Sequence, residues 1–225
     1  MQPAYFPWTG YFNLIGQVDA FVFLDDAQYE KGTWQNRNRV LVGGQPYWLT
    51  VPAHREFLGQ AINQVAIVDR LNWRAKHFNL LSQTYARHPC ARDMLEAAAC
   101  ILDRRLARIA DLNIKIITEF SAKLGLNATL FRSSELGVVG GRTERLINIC
   151  SHLNCDEYVS PVGSAEYLAE DHFSEMTSIR LLFNNFIPAP YPQMNVDTFV
   201  SHMSVLDVVA NLGWRDTADY IRATR

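Results

Sequence analysis

Two prolines four residues apart, Pro3 and Pro7, sit in the aromatic run Gln2-Pro3-Ala4-Tyr5-Phe6-Pro7-Trp8-Thr9-Gly10-Tyr11. Neither a helix interior nor a central strand accepts that spacing, because each proline lacks an N–H and fixes φ. The run is therefore read as a rigid loop. A short apolar helix over 12–17 is expected next, then a buried strand over 20–24 that runs straight into Asp25-Asp26. Gln28, Tyr29, Lys31 and the segment Trp34-Gln35-Asn36-Arg37-Asn38-Arg39 follow. A stiff loop rich in Trp and Tyr loses little entropy when it holds a ligand. Polar residues just beyond a buried strand lie where open α/β sheets place their ligand crevice. Tyr5, Trp8, Tyr11, Asp25, Asp26, Gln28, Asn36 and Arg37 are accordingly the expected lining.

Composition narrows the class. The chain has 225 residues, 48% of them apolar and 20% charged, which suits one α/β domain over 1–225 with a sizeable core. A net charge of −2 gives no reason to expect a nucleic-acid partner or an anionic membrane. No run reaches the roughly 20 apolar residues of a membrane span. Nor does a basic region precede an apolar one at the N-terminus, so a cytoplasmic location is expected. Cys90, Cys100, Cys150 and Cys155 form no CxxC pair and fit no zinc ribbon. Cys100 and Cys150 read as core thiols, with Cys150 or Cys155 as the alternative of a catalytic thiol. His54, His77, His88, His152, His172 and His202 make no HxH or HExxH pair, and neither a metal nor a cofactor is expected.

Along the chain, Gly43-Gly44 predicts a turn joining residues 39–41 to the β-prone run 47–51 as a hairpin. Residues 62–68 read as a further strand. Helical periodicity then covers 72–86, 92–102 and 106–124, a three-helix insertion at about 72–124. Alternation resumes with strands at 128–131, 157–160 and 179–183. Helices are expected at 143–153, 165–168 and 204–212, the last capped by Gly213 with Ser204 as its N-cap. Strand–loop–helix units with short connections predict a mostly parallel sheet.

Adjacent residues in a strand point to opposite faces, so only one of Asp25 and Asp26 can face a crevice. A carboxylate there can serve as general base; the bland alternative is a solvated turn. Arg37 and Arg39 share a face and suit a carboxylate or phosphate, or else they protect an edge strand. Ser133-Ser134, with the glycines before 143, can present N–H groups to an anion or merely cap a helix. Tyr191 and Gln193, in a proline-rich stretch, can close over a sugar ring or simply pack. Ser160-Pro161-Val162-Gly163-Ser164 lacks the GxSxG spacing of a nucleophile elbow.

The opening run Gln2 to Phe12, Asp25-Asp26 with Gln28, and Trp34-Gln35-Asn36-Arg37-Asn38-Arg39 together resemble the WbqC-like family. Ser133-Ser134-Glu135-Leu136, Tyr158-Val159-Ser160, Tyr191-Pro192-Gln193 and Ser204-Val205-Leu206-Asp207 extend the resemblance over nearly the whole chain. It implies surface-polysaccharide or O-antigen biosynthesis, with transfer of an acyl or aminoacyl group to an amino sugar. It also adds Gln2 and Tyr158 to the expected binding residues. Family sequences often carry apolar residues ahead of the opening motif, so a first strand is expected to be cut to two or three residues or to lie further upstream.

Trp8-Thr9-Gly10-Tyr11 is similar to the HxGH region of the nucleotidyltransferase and class I synthetase superfamily, which implies a Rossmann-like, HUP-like fold. Trp8 and Tyr11 replace its histidines, however, and neither side chain becomes cationic at neutral pH. Three readings remain: a transferase using a nucleotide sugar and an acyl or aminoacyl donor, a non-catalytic module for a glycan precursor or partner enzyme, and a degenerate nucleotidyltransferase.

Overall fold

The computed structural model describes residues 1–223. Helix α1 (Thr9–Ile15) begins three residues earlier than expected and leads to β1 (Ala20–Phe23). The hairpin β2 (Arg37–Val42) and β3 (Gln45–Thr50) follows, and then the two-residue strands β4 (Ala53–His54) and β5 (Ala66–Ile67). Next come α2 (Trp73–Tyr85), α3 (Ala91–Leu102) and α4 (Ile109–Lys123). The remainder comprises β6 (Thr129–Arg132), α5 (Arg142–His152), β7 (Glu157–Pro161), α6 (Ala165–Glu170), α7 (Phe173–Met176), β8 (Arg180–Asn184) and α8 (Val205–Ala223).

The strands pair in separate two-stranded ladders rather than in one mostly parallel sheet. β1 and β6 are parallel, with Phe23 opposite Arg132, and β7 and β8 are parallel, with Pro161 opposite Asn184. β2–β3 and β4–β5 are antiparallel. Connection length explains the difference. Gly43 and Gly44, at φ 58° and 78°, turn the chain at once and give a hairpin, whereas parallel pairs need intervening helices. A cavity of about 480 Å³ separates the two parallel ladders, bordered by Phe21, Val22, Ile149, Cys150, Tyr158 and Val159. Met1 lies at its edge and extends the β1 ladder by one residue: its ammonium donates to the Val22 carbonyl at 2.7 Å, and its own carbonyl accepts from Leu24 at 2.8 Å.

Two other expectations change. Residues 62–68 form a 3₁₀ turn (Ile62–Gln64) followed by β5, not a continuous strand. Gly213, at φ 75°, stops the first segment of α8 as expected, but a second helical segment that was not expected follows it to Ala223. Ser204 does cap this helix, accepting the Leu206 N–H at 3.2 Å.

The core is one cluster in which the three-helix block shares its apolar faces with the N-terminal loop. On α3, Met94, Ala97, Ala98 and Ile101 form the buried stripe that helical periodicity requires. Cys100 lies off that stripe and is exposed, which corrects its reading as a core thiol, whereas Cys150 is buried. All four cysteines are unpaired.

The proline-bearing loop is buried although it has no regular structure, so its polar backbone needs partners. Asn38 Nδ2 donates to the Phe6 and Tyr5 carbonyls at 2.8 and 3.2 Å. Asn113 Nδ2 donates to those of Pro3 and Gln35 at 3.1 and 2.7 Å. Ser204 Oγ donates to that of Phe6 at 2.8 Å.

Beneath the loop, the fully buried Tyr5 hydroxyl lies 2.9 Å from His77 Nδ1. Burial pushes the His77 pKa down to about 4. A depressed histidine contributes stability that is complete above the unfolded value of 6.5 and is lost as pH falls toward 4. The full shift corresponds to at most about 3 kcal/mol. Urea unfolding should therefore show His77→Gln losing clearly less stability than the parent between pH 7 and 4.5. Parallel losses in the two proteins would contradict this account.

Candidate functional site

β1 is apolar up to Leu24 and then delivers Asp25 and Asp26, while its parallel partner β6 delivers the 3₁₀ turn Ser133–Glu135. The register therefore brings two carboxylates against two serines. Asp25 is fully buried. Its Oδ1 accepts the Ser134 N–H at 3.1 Å and lies 3.3 Å from Ser133 Oγ, and its Oδ2 accepts the Ser134 hydroxyl at 2.8 Å. Asp26 Oδ1 lies 2.5 Å from Ser133 Oγ, and its Oδ2 is paired with the Arg145 guanidinium from α5. Ser133 has one hydroxyl proton to give, and the shorter contact assigns it to Asp26.

The two acids therefore differ in role. Asp25 uses both oxygens to hold the Ser133-Ser134 turn. Asp26 remains 24% accessible. Burial alone would raise its pKa, but hydrogen bonds from Arg145 and Ser133, with the Arg145 charge, outweigh burial and hold it below the usual carboxylate range. It is thus an ionised, oriented carboxylate at neutral pH, beside a serine turn whose second hydroxyl belongs to an exposed residue.

Gln2 and Gln28, both exposed, adjoin this cluster along the chain, since Leu24 pairs with Met1. Gln35 Nε2 donates to Gln2 Oε1 at 2.8 Å and to the Gln28 carbonyl at 3.3 Å, tying them together. The Tyr11 hydroxyl donates to the Gln2 carbonyl at 3.0 Å from a buried ring.

Other expected site residues lie apart from the acids. Trp8 is half-buried, its ring centroid 4.6 Å from that of His202 and 5.6 Å from that of Phe186. Its indole lies over Gly10 so closely that an added Cβ would come within 2.3 Å of ring carbons. No hydrogen bond or ring contact joins Trp8 to Asp25 or Asp26, and none of the cavities of about 480, 400 and 700 Å³ is lined by these three residues. Asn36 is buried and structural, accepting the Gly32 N–H at 3.0 Å and donating to the Val51 carbonyl at 3.1 Å. Arg37 stacks on Trp48 across the hairpin.

Tyr158 lines the 480 Å³ cavity, stacked on Phe173 with ring centroids 5.8 Å apart. Tyr191 donates to Asp207 Oδ2 at 2.6 Å and Tyr85 to its Oδ1 at 2.7 Å, with Gln193 Nε2 donating to the Tyr191 hydroxyl at 3.0 Å. This buried network pins the proline-rich stretch to α8. Burial pushes the Cys150 thiol up to about 11, so it is protonated at neutral pH and a poor nucleophile.

Sequence reading did not select Gln35 or Asn113 as site residues, and it marked Arg145 only through the likeness of Ser133-Ser134 and the following helix to a phosphate-binding motif. That helix opens with two arginines, Arg142 and Arg145, and only Arg145 reaches Asp26.

The profile of the WbqC-like protein family matches residues 2–219. The chain belongs to the WbqC-like protein family. A protein of Mycobacterium tuberculosis named "Uncharacterized protein Rv1507c" is 30% identical over 226 residues, spanning 100% of this chain and 97% of its own. No solved structure matches. In this WbqC-like chain no helix among the described residues is long and apolar enough to cross a membrane.

The division between the acids has a measurable consequence. Asp25→Asn turns an amide donor toward the Ser134 donors and should cost about 2–3 kcal/mol in chemical denaturation, the usual worth of buried hydrogen bonds to a charge. Asp26→Asn should cost markedly less. Equal costs would show that the two carboxylates are not divided in this way.

Proposed function

We propose that the protein transfers an acyl or aminoacyl group to the amine of a nucleotide-linked or lipid-linked sugar during O-antigen or other surface-polysaccharide assembly. The observation that carries this reading is the ionised Asp26, half-open at a strand end and oriented by Arg145 and Ser133. A sugar amine reaches the site as an ammonium ion, which an ionised carboxylate attracts and aligns. The ammonium first gives one proton to solvent; the neutral nitrogen then bonds to the donor's carbonyl carbon as the donor's leaving group departs, and the second proton, made acidic on the acylated nitrogen, passes to Asp26. Gln2 and Gln28 offer exposed amides to the sugar hydroxyls, and Asp25 keeps the serine turn in place. Trp8 and Tyr158 lie outside this set and are assigned no role in it.

The same proposal takes the fold as Rossmann-like with a helical insertion in a single domain. Its partners are small molecules in the cytoplasm, a nucleotide sugar and an acyl or aminoacyl donor. The parallel β1–β6 ladder, with polar residues at its C-terminal end, supports the fold assignment. A second reading, a non-catalytic module for a glycan precursor or partner enzyme, is favoured by the exposed Trp34 and Trp48 of the hairpin region. A degenerate nucleotidyltransferase has less support, because the Tyr11 hydroxyl is already engaged by the Gln2 carbonyl.

Mass spectrometry of small molecules retained by the purified protein selects the donor, and acylated amino sugar is then measured directly. Asp26→Asn and Arg145→Gln should lower turnover by at least about 100-fold, the lower range for a proton-transfer group. Their melting temperatures should stay close to that of the parent. Undiminished turnover in Asp26→Asn would remove Asp26 from the chemistry, and binding without turnover in the parent would favour the module.

A further inference from the structure

The hairpin β2–β3 and the turn before it form a surface unlike an ordinary exposed sheet face. Trp34 is 48% and Trp48 38% exposed, with ring centroids 5.3 Å apart. The Arg37 guanidinium lies 4.2 Å from the Trp48 ring centroid. That of Arg39 lies 5.7 and 5.8 Å from the rings of Trp34 and Trp48. Arg39 is opposite Trp48 in the hairpin register, and Arg37 is two residues away on the same face.

The charges here are unbalanced. Among the described residues neither guanidinium pairs with a carboxylate; Arg39 makes one hydrogen bond of 3.4 Å to the His202 carbonyl, and Arg37 makes none. Both Nε atoms are buried without a partner. The chain carries 23 acidic residues against 21 Lys and Arg, so acids are not scarce, yet among the described residues none makes an ion pair with either guanidinium. Burial, and next the Arg39 charge, push His202 below its usual pKa. Protecting a sheet from edge-to-edge pairing explains partly exposed arginines, but not the two exposed indoles packed against them.

Beside the platform lies a hollow of about 700 Å³, whose walls include Trp48, Lys76 and His77. That volume is within the range of small-ligand sites. We propose that this face binds an acidic saccharide, a pyranose bearing a carboxylate or phosphate. The indoles would take the ring's apolar C–H face, and the guanidiniums, preorganised by cation–π contact, would take the anionic oxygens in bidentate fashion. A nucleic acid fits less well, because such partners require a row of neutralised phosphates and this chain has a net charge of −2. Binding here is independent of turnover at Asp26 and is read without it.

Titration calorimetry on the full chain tests the proposal with a glucuronate-ended disaccharide, a hexose phosphate and their neutral counterparts. At least one acidic sugar should bind at least about tenfold more tightly than its neutral counterpart, and the advantage should shrink with added salt. Comparing the two acidic sugars identifies the preferred anion. Arg37→Ala with Arg39→Ala should abolish the preference, Arg37→Lys with Arg39→Lys should restore part of it, and Trp48→Ala, which removes the ring that orders both guanidiniums, should weaken all sugars and reduce the preference as well. Arg92→Ala, on an exposed turn of α3, serves as a control that leaves binding unchanged. Thermal unfolding of each variant confirms that it is folded. Equal binding of acidic and neutral sugars, no binding of either acidic sugar, unaltered preference in the double alanine variant, or tighter binding of a short oligonucleotide would each overturn the assignment.

Discussion

The buried carbonyls of the N-terminal loop set the terms for the rest of the molecule. Prolines keep this segment out of any helix or ladder, yet Ala4, Tyr5 and Phe6 are core residues. A buried backbone polar group without a partner costs about 1–3 kcal/mol, so several orphaned carbonyls would consume much of a domain's stability. Asn38 from β2, Asn113 from α4 and Ser204 at the head of α8 answer them one by one. The Val205 N–H donates to the Pro7 carbonyl at 2.9 Å, and the Tyr5 N–H to that of Trp34 at 2.9 Å. Elements far apart in sequence are thus fixed on one irregular loop, and the apolar cluster closes around it.

Much of the element order was legible because local signals agree: prolines mark the loop, paired glycines the hairpin, and apolar periodicity the helices α2 to α4. Where the reading failed, a local signal had a non-local use. Gly213 carries the left-handed backbone of a cap, but α8 continues beyond it, and a Cβ there would approach Cys90 Sγ to 3.0 Å. Strand pairing across helices leaves no mark in a sequence, so the division into separate ladders was not readable. Asp25-Asp26 stood out as polar residues after an apolar run, whereas nothing local tied Asp26 to its partner Arg145, 119 residues beyond it. Tyr191 and Gln193 looked like a ligand-closing pair because their loop is irregular. Their polar atoms are directed to Asp207 instead, since a carboxylate that burial pushes toward protonation is best served by internal donors.

Strand alternation then divides labour between neighbours. Within Trp34-Gln35-Asn36-Arg37-Asn38-Arg39 the amides point inward, where Asn36 and Asn38 satisfy backbone, and the guanidiniums point outward onto the indoles. Asp25 and Asp26, in the turn after β1, both reach the Ser133 hydroxyl, but Asp25 is sealed under the serine turn and Asp26 is left partly open. A residue pair that looks redundant in sequence thus carries one structural and one accessible member. Moving the β2 register by one residue would exchange its inward amides and outward guanidiniums.

The same segment also joins the two surfaces to which function is assigned. Gln35 accepts the Glu30 N–H at 2.8 Å while its amide reaches Gln2 and the Gln28 carbonyl, so the turn from 30 to 36 braces the edge of the acid cluster. Its neighbour Trp34 holds Tyr5 through its carbonyl and presents its ring to Arg39. Any force on the Trp34 ring therefore reaches the proline loop through one peptide unit, and Gln2 through the next. Packed in this way, with both ends hydrogen-bonded into the core, the turn has little freedom to adjust one surface without the other. The aromatic loop and the double aspartate share no cavity wall, yet this turn bonds Tyr5 of the one and Gln2 and Gln28 beside the other.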